Sequence, residues 1–288
     1  MQNILLAIQW NPSPEIFTIG PITLRWYSLM FLAGFMIGFQ IMKRFFIHEK
    51  QPIEWLDSLL IYLMIGTIVG ARLGHCIFYD WAYYGSSVPH FIEMFIPVRF
   101  GEGWPDDFMD FKFIGFRGLA SHGGAIAIII MMWLFSRNIT KKPMLWILDR
   151  VVIPVALTGM FIRLGNLINS EIIGNPADVP WAFVFEQVDD IARHPAQLYE
   201  SMSYLAIFIF MMWQYWKTTA KDKLGFLFGT FLALLWTARF FVEFFKKSQG
   251  GFEESFNVGL STGQLLSIPF IVAGIFFMAT AKNRSSIA

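Results

Sequence analysis

Apolar runs of about twenty residues recur along this chain, and no other feature constrains its folding as strongly. A helix rises about 1.5 Å per residue and needs about 20 apolar residues to cross the core of a bilayer. Backbone N–H and C=O groups meet no water there, so each run must satisfy its own hydrogen bonds as a helix. Seven spans are therefore expected, at about 22–43, 56–79, 119–136, 145–168, 198–216, 225–245 and 262–281. Of the 288 residues 56% are hydrophobic and 15% charged, with a mean hydropathy of +0.52, which departs far from a soluble domain. The expected fold is an all-α integral membrane protein, one polytopic domain formed by a bundle of seven transmembrane helices.

The basic residues orient it. Lys43, Arg44 and Lys50 fall between the first two spans, Arg137, Lys141 and Lys142 between the third and fourth, and Lys217, Lys221 and Lys223 between the fifth and sixth. Lys282 and Arg284 follow the last. By the positive-inside rule these belong to the cytoplasm, which puts the N-terminus outside and the C-terminus inside. The opening Met1-Gln2-Asn3-Ile4-Leu5-Leu6 lacks a basic stretch and a small-residue cleavage site, so no cleaved signal peptide is expected. Two outer segments, about 80–118 and 169–197, carry Trp81, Trp104, Pro105, Pro180 and Trp181. They read either as small outer arms or a cap, too small to bury much core, or as plain connecting loops. Gly34 and Gly38, the series Gly66-Gly70-Gly74, and Gly225 and Gly229 stand four apart, which lets helices approach closely.

The net charge of +1 suggests no nucleic-acid partner, and the single Cys76 allows no internal disulfide or cysteine-cluster metal site. Any thiol chemistry beyond Cys76 must then use a thiol brought by a substrate. His75, His122 and His194 form no close pair such as i, i+4, so neither a zinc site nor another cofactor is expected. Cys76 itself reads as a small buried hydrophobe.

Polar groups at membrane depth are costly, roughly 2.5–3.5 kcal/mol for each charge on insertion scales, and they mark sites. Arg25 and Tyr27 open the first span, Arg72 and His75 close the second, Ser121 and His122 open the third, Arg163 and Asn166 close the fourth, and Arg239 and Glu243 close the sixth. All five groups fall toward the outer face. Arg163, Asn166 and Asn169 stand three apart, so one face of a helix end presents a cation and two amides. Arg239 and Glu243 stand four apart and are expected to pair. The planar fork of a guanidinium suits a phosphate, and several arginines at headgroup level point to a phospholipid. Against this, Arg25 also reads as a snorkelling anchor and His122 as a packed interfacial histidine.

Six pieces carry a resemblance: Arg25-Trp26-Tyr27; Gly70-Ala71-Arg72-Leu73-Gly74; Ser121-His122-Gly123-Gly124; the stretch Arg163 to Gly174; Arg193-His194-Pro195-Ala196-Gln197-Leu198-Tyr199-Glu200; and Arg239-Phe240-Phe241-Val242-Glu243. Over most of its length the chain resembles the bacterial phosphatidylglycerol:prolipoprotein diacylglyceryl transferases, departing from their pattern at His75, Ile162 and Leu167. The resemblance implies a multi-pass enzyme of the bacterial inner membrane, with a periplasmic N-terminus and a cytoplasmic C-terminus. Its partners would be membrane phosphatidylglycerol and the signal peptide of a preprolipoprotein. The diacylglyceryl group would pass to the lipobox cysteine, releasing glycerol phosphate.

It further implies a substrate-binding set of Arg163, Asn166, Asn169, Glu171, Gly174 and Arg72, and a catalytic set of His122, Arg239, Tyr27 and Glu243. Arg163 and Arg239 would bind the phospholipid head and Glu243 would orient Arg239, while Tyr27 and His122 would lie beside the reacting carbon and thiol. An imidazole titrating near about 6.5 can take a proton from a thiol near about 8.5; a base acting through water, or a thiol that arrives ionised, would serve as well. The rival readings are a transporter or channel with a polar outer vestibule and a non-catalytic lipid-binding scaffold.

Overall fold

The computed structural model describes residues 7–20, 22–101, 103–104, 110–113, 118, 120–247 and 260–284. Residues 1–6, Pro105, Arg117 and Leu119, on which parts of the sequence reading fall, lie outside them. In chain order the elements begin with strands β1 (Ile8–Trp10), β2 (Glu15–Ile19) and β3 (Ile22–Arg25), then helices α1 (Trp26–His48), α2 (Glu54–Phe78), α3 (Trp81–Tyr84) and α4 (Val88–Ile92). Strands β4 (Val98–Phe100) and β5 (Phe111–Phe113) precede α5 (Ser121–Phe135) and α6 (Met144–Ile168). Strands β6 (Phe183–Phe185) and β7 (Ala192–Arg193) lead into α7 (Ala196–Lys217), α8 (Phe226–Val242) and α9 (Thr262–Arg284). The chain forms two compact units, residues 1–45 with 148–288, and residues 46–147; each is described by itself.

Six helical stretches among the described residues are long and apolar enough to cross a membrane: Trp26–His48, Glu54–Phe78, His122–Thr140, Met144–Ile168, Phe226–Phe245 and Thr262–Lys282. The chain is a mostly helical, multi-pass membrane protein. The seventh expected span, 198–216, is helical as α7, but Glu200, Ser201, Tyr204 and Gln214 make it more polar than the other six; all four are buried. The first span begins four residues later than expected. Ile22–Arg25 pair with Glu15–Ile19 in an antiparallel hairpin that turns at Gly20, where φ is +58°, and the helix starts only at Trp26. Arg25 meets Glu15 at 3.3 Å in an exposed ion pair.

In the first unit, Gly34 packs on Thr158, Gly38 on Pro154 and Gly229 on the Gly274 carbonyl. Gly225 departs from the expected packing role: it sits before α8 at φ +84°. Its N–H donates to Asp149 Oδ2 at 2.6 Å and that of Phe228 to Asp149 Oδ1 at 2.8 Å, so a buried α6 carboxylate caps α8. The segment after α6 does more than connect, and it buries more than expected. β6 pairs in parallel with β1 and antiparallel with β7, and Phe183 and Phe185 join Leu167, Ile173 and Trp10 in a small core. Trp10 Nε1 donates to the Leu167 carbonyl at 2.8 Å.

In the second unit α5 lies against α2 with almost no side chain between. A Cβ on Gly74 would come within 2.9 Å of the Gly123 nitrogen, and one on Gly70 within 2.8 Å of the Gly123 carbonyl, a close approach that only small residues allow. The 80–113 stretch holds the turns α3 and α4 and the β4–β5 hairpin.

Candidate functional site

The carboxyl end of α6 builds the centre of the site. The Ser170 N–H bonds the Leu167 carbonyl and the Glu171 N–H bonds that of Asn166, a Schellman end with Ser170 in the left-handed position that glycine usually fills. Two residues on, the β-branched Ile172 also stands at φ +58°, which makes it a true outlier. Strain of this kind is held in place by its surroundings and gathers at functional sites.

This turn gathers the polar side chains. Arg163 Nη1 donates to Asn166 Oδ1 at 3.2 Å, Asn166 Nδ2 to Glu171 Oε2 at 2.9 Å, and Asn169 Nδ2 to Glu171 Oε1 at 3.2 Å. Both oxygens of Glu171 thus fix the two amides; the carbonyl end of Asn166 takes Arg163, and that of Asn169 has no hydrogen-bond partner among the described residues. Arg163 Nε lies 2.6 Å from Glu200 Oε2, with the Tyr204 hydroxyl beside it. Tyr27 packs on Gly165, where a Cβ would come 2.8 Å from its ring, within electrostatic reach of Glu171 and Arg163.

Gly174 continues this wall. Its N–H donates to the His194 carbonyl at 3.1 Å, and a Cβ on it would lie 2.7 Å from the Phe245 carbonyl, so backbone occupies the space a side chain would need. Gln197, fully buried on α7, donates to the Glu171 carbonyl at 2.6 Å. Arg193 grips Asp189 through Nε at 3.1 Å and Nη2 at 2.5 Å. Those hydrogen bonds hold the Asp189 carboxyl below its ordinary range, against the opposing effect of burial. His194 Nδ1 meets the Tyr199 hydroxyl at 3.0 Å, which accepts from Trp181 Nε1 at 2.8 Å. Burial lowers the His194 pKa.

The expected Arg239–Glu243 pair is absent among the described residues. α8 gives way at Val242 to a tighter 3₁₀ turn, Glu243–Phe245, whose three-residue period carries Glu243 toward Lys246 instead, at 3.5 Å. Lys246 Nζ also lies 3.8 Å from Glu200 Oε1. Arg239 lies over the Trp236 ring at 5.2 Å, and its buried Nε has no hydrogen-bond partner among the described residues.

Arg72 and His122 belong to the second unit. Arg72 is 2% exposed, and its Nη2 donates to the Tyr84 hydroxyl at 3.1 Å and the Glu93 carbonyl at 2.9 Å, with the guanidinium over the Tyr84 ring. These bonds tie residues 84–93 to α2. Glu93 accepts from the Tyr83 hydroxyl at 2.9 Å and the Phe100 N–H at 2.7 Å; burial, with Glu93 beside it, raises the Tyr83 pKa. His122 is exposed in the first turn of α5. That turn is fixed by the Ala120 N–H on the Ala71 carbonyl at 2.9 Å and by Gly123 on Gly70 and Gly74.

Sequence reasoning passed over Gln197, Glu200, Tyr204 and Lys246. For Glu200 there was a signal: a carboxylate within an apolar helix demands a cation, and Arg163 and Lys246 answer it. With this geometry in view, comparison with known proteins adds the following. A family profile described as prolipoprotein diacylglyceryl transferase matches residues 14–280. The chain is 44% identical to the phosphatidylglycerol–prolipoprotein diacylglyceryl transferase of Bacteroides fragilis over 289 residues, all of both chains. It is 45% identical to the protein of that name from Tolumonas auensis, over 96% of this chain and 98% of the relative. For that of Chloroherpeton thalassium the identity is 41%, over 97% and 96%.

Proposed function

The chain belongs to the prolipoprotein diacylglyceryl transferase family, and from that membership we propose how its side chains divide the reaction. It is a transferase that moves a diacylglyceryl group from phosphatidylglycerol to a prolipoprotein. The acceptor is the thiol of the lipobox cysteine: a sulfur–carbon bond forms, the bond from that carbon to the phosphate oxygen breaks, and glycerol phosphate leaves. The thiol gives up its proton to a base, and a unit of negative charge moves from sulfur to the phosphate. Groups that hold the phosphate therefore meet more charge in the transition state than in the ground state, which is the condition for accelerating the step.

Arg163 and Arg239 are the phosphate ligands. What most supports this is the Arg163 cluster itself: Glu200, Asn166 and Tyr204 engage three sides of the guanidinium, and a guanidinium has five N–H donors. Arg239 brings a cation that no carboxylate neutralises among the described residues. Asn166, Asn169, Glu171 and Gly174 shape the wall, and Tyr27 lies beside the reacting carbon. His122 takes the thiol proton, consistent with an exposed imidazole on a fixed helix turn. The test is transfer by the purified protein in vesicles of phosphatidylglycerol, read as the mass gain of a lipobox peptide. Arg163→Ala and Arg239→Ala should each lower kcat by about 10²–10³; near-full activity in both variants removes the phosphate role.

α7 is the seventh span, its polar face covered by protein, and the segments 80–118 and 169–197 lie on the periplasmic side of the inner membrane. The basic residues in and after the carboxyl-terminal turns of α1, α5, α7 and α9 support this orientation. Cys76 is buried, so single cysteines placed at Gln187 and at Lys142 report alone to an impermeant maleimide. Labelling of position 187 in intact cells, and of 142 only after permeabilisation, is expected; the reverse pattern inverts the topology.

A further inference from the structure

Four charges lie in a row in the first unit, and of these only Arg163 has been given a part in the reaction. Arg163 Nε is 2.6 Å from Glu200 Oε2; Glu200 Oε1 is 3.8 Å from Lys246 Nζ; Lys246 Nζ is 3.5 Å from Glu243 Oε2. Beyond Glu243 stands the start of α9. A Cβ at Gly263 would come within 2.7 Å of Glu243 Oε2, so the carboxylate rests on the backbone of the first helical turn, where the helix field favours an anion. That turn is itself fixed by a reciprocal cap, Gln264 N–H on Ser261 Oγ at 3.2 Å and Ser261 N–H on Gln264 Oε1 at 3.0 Å. The signs alternate plus, minus, plus, minus, and ends on the positive pole of a helix.

The middle pair is the most deeply buried part. The side chain of Glu200 is 1% exposed and that of Lys246 7%. Both Glu200 oxygens lack directed hydrogen bonds among the described residues, so their contacts are ionic ones. A buried carboxylate without hydrogen bonds is a poor stabiliser of a fold, because its desolvation offsets the attraction. Its effect here is geometric: one carboxylate ties α6 to α7, and one ammonium ties α7 to the turn after α8. The row also leaves Arg239 outside it, a cation with no carboxylate against it among the described residues.

We propose that Glu200 and Lys246 are positioning residues of the transfer reaction, an internal ion pair that sets Arg163 and Glu243 at fixed places around the phosphate of the lipid. This rests on the reading of Arg163 as a phosphate ligand. Without Lys246, Glu200 is drawn wholly onto Arg163 and Glu243 loses its cation. Without Glu200, Arg163 loses the anchor on its Nε edge, and Lys246 keeps Glu243 alone and no longer links α7 to the turn after α8.

The test uses the full chain in phosphatidylglycerol vesicles with a lipobox peptide, measuring kcat and KM for Glu200→Gln, Lys246→Met, the double variant, Lys246→Arg and Arg163→Ala, each with a melting curve. Glu200→Gln and Lys246→Met should each lower kcat/KM by at least about tenfold, mainly through kcat. The double variant, having lost both charges, should be no worse than the poorer single one, a coupling that independent sites do not show. Lys246→Arg should recover most of what Lys246→Met loses. Losses that follow melting temperature and multiply in the double variant would mark a merely structural pair and overturn the proposal. So would single variants as active as the parent while Arg163→Ala is dead; a fully active Arg163→Ala overturns the phosphate reading itself. Should Lys246→Met fail to fold, Glu200→Asp decides: a carboxylate one methylene shorter should lower kcat at an unchanged melting temperature, and unchanged kinetics overturn the proposal.

Discussion

Arg163, Asn166 and Asn169 were legible as one polar cluster from spacing, because a helix end sets neighbours three apart on one face; Glu171, two residues on, falls outside that period, yet it bonds both amides. Glu200 and Lys246 were not legible, since their partners come from other elements and no local period announces them. Arg72 shows a different limit. Its residue type says that it needs partners at depth, but not that Tyr84 and Glu93 of its own chain are among them. Single groups also set the response to pH. Burial lowers the His194 pKa, so below about 6.5 the unfolded chain takes up a proton that the folded chain resists, and stability falls with pH from there. Melting temperature should accordingly drop between pH 7 and pH 5, and His194→Gln should flatten that drop; an unchanged slope refutes the assignment.

Among the elements, the long apolar runs were read correctly wherever the run and the helix coincide. They were misread at the hairpin, where Ile22 and Leu24 look like a helix extended upstream but pair with Ile19 and Phe17 across the turn. The α7 run was read as a span on its apolar length; what that reading passed over is that buried Gln197 and Glu200 lie in it, with Glu200 meeting Arg163 and Lys246 from other elements. The start of α8 shows how a helix end inside a bundle is satisfied from a distance. Asp149, fully buried, accepts from two of its N–H groups. Replacement by alanine leaves those donors buried and unpaired, at about 1–3 kcal/mol each. Asp149→Ala should lower the melting temperature by several degrees while Asp149→Asn, which keeps one acceptor, falls between; a melt equal to that of the parent would show that water takes over the cap.

For the whole chain, composition and charge already implied a multi-pass membrane protein, but the parallel pairing of β1 with β6 has no sequence signature. It joins strands far apart in sequence, and neither is long enough to declare itself. It matters because Trp10 both packs on Phe183 and holds the Leu167 carbonyl, at the very end of α6. Trp10→Ala should cost about 2–4 kcal/mol of stability and reduce transfer below what the fraction folded explains, while membrane insertion is unaffected; activity in proportion to folded protein would separate the sheet from the site. The same pairing also sets an order of events during synthesis. β1 leaves the ribosome before α1, yet its partner is made only after α6, and contacts this distant in sequence form late. The amino-terminal strand must therefore wait, unpaired, while the first spans enter the bilayer, and the turn that carries Asn169 and Glu171 gains its Trp10 support only when that strand docks. An enzyme that assembles this way stays idle until its membrane frame is largely in place.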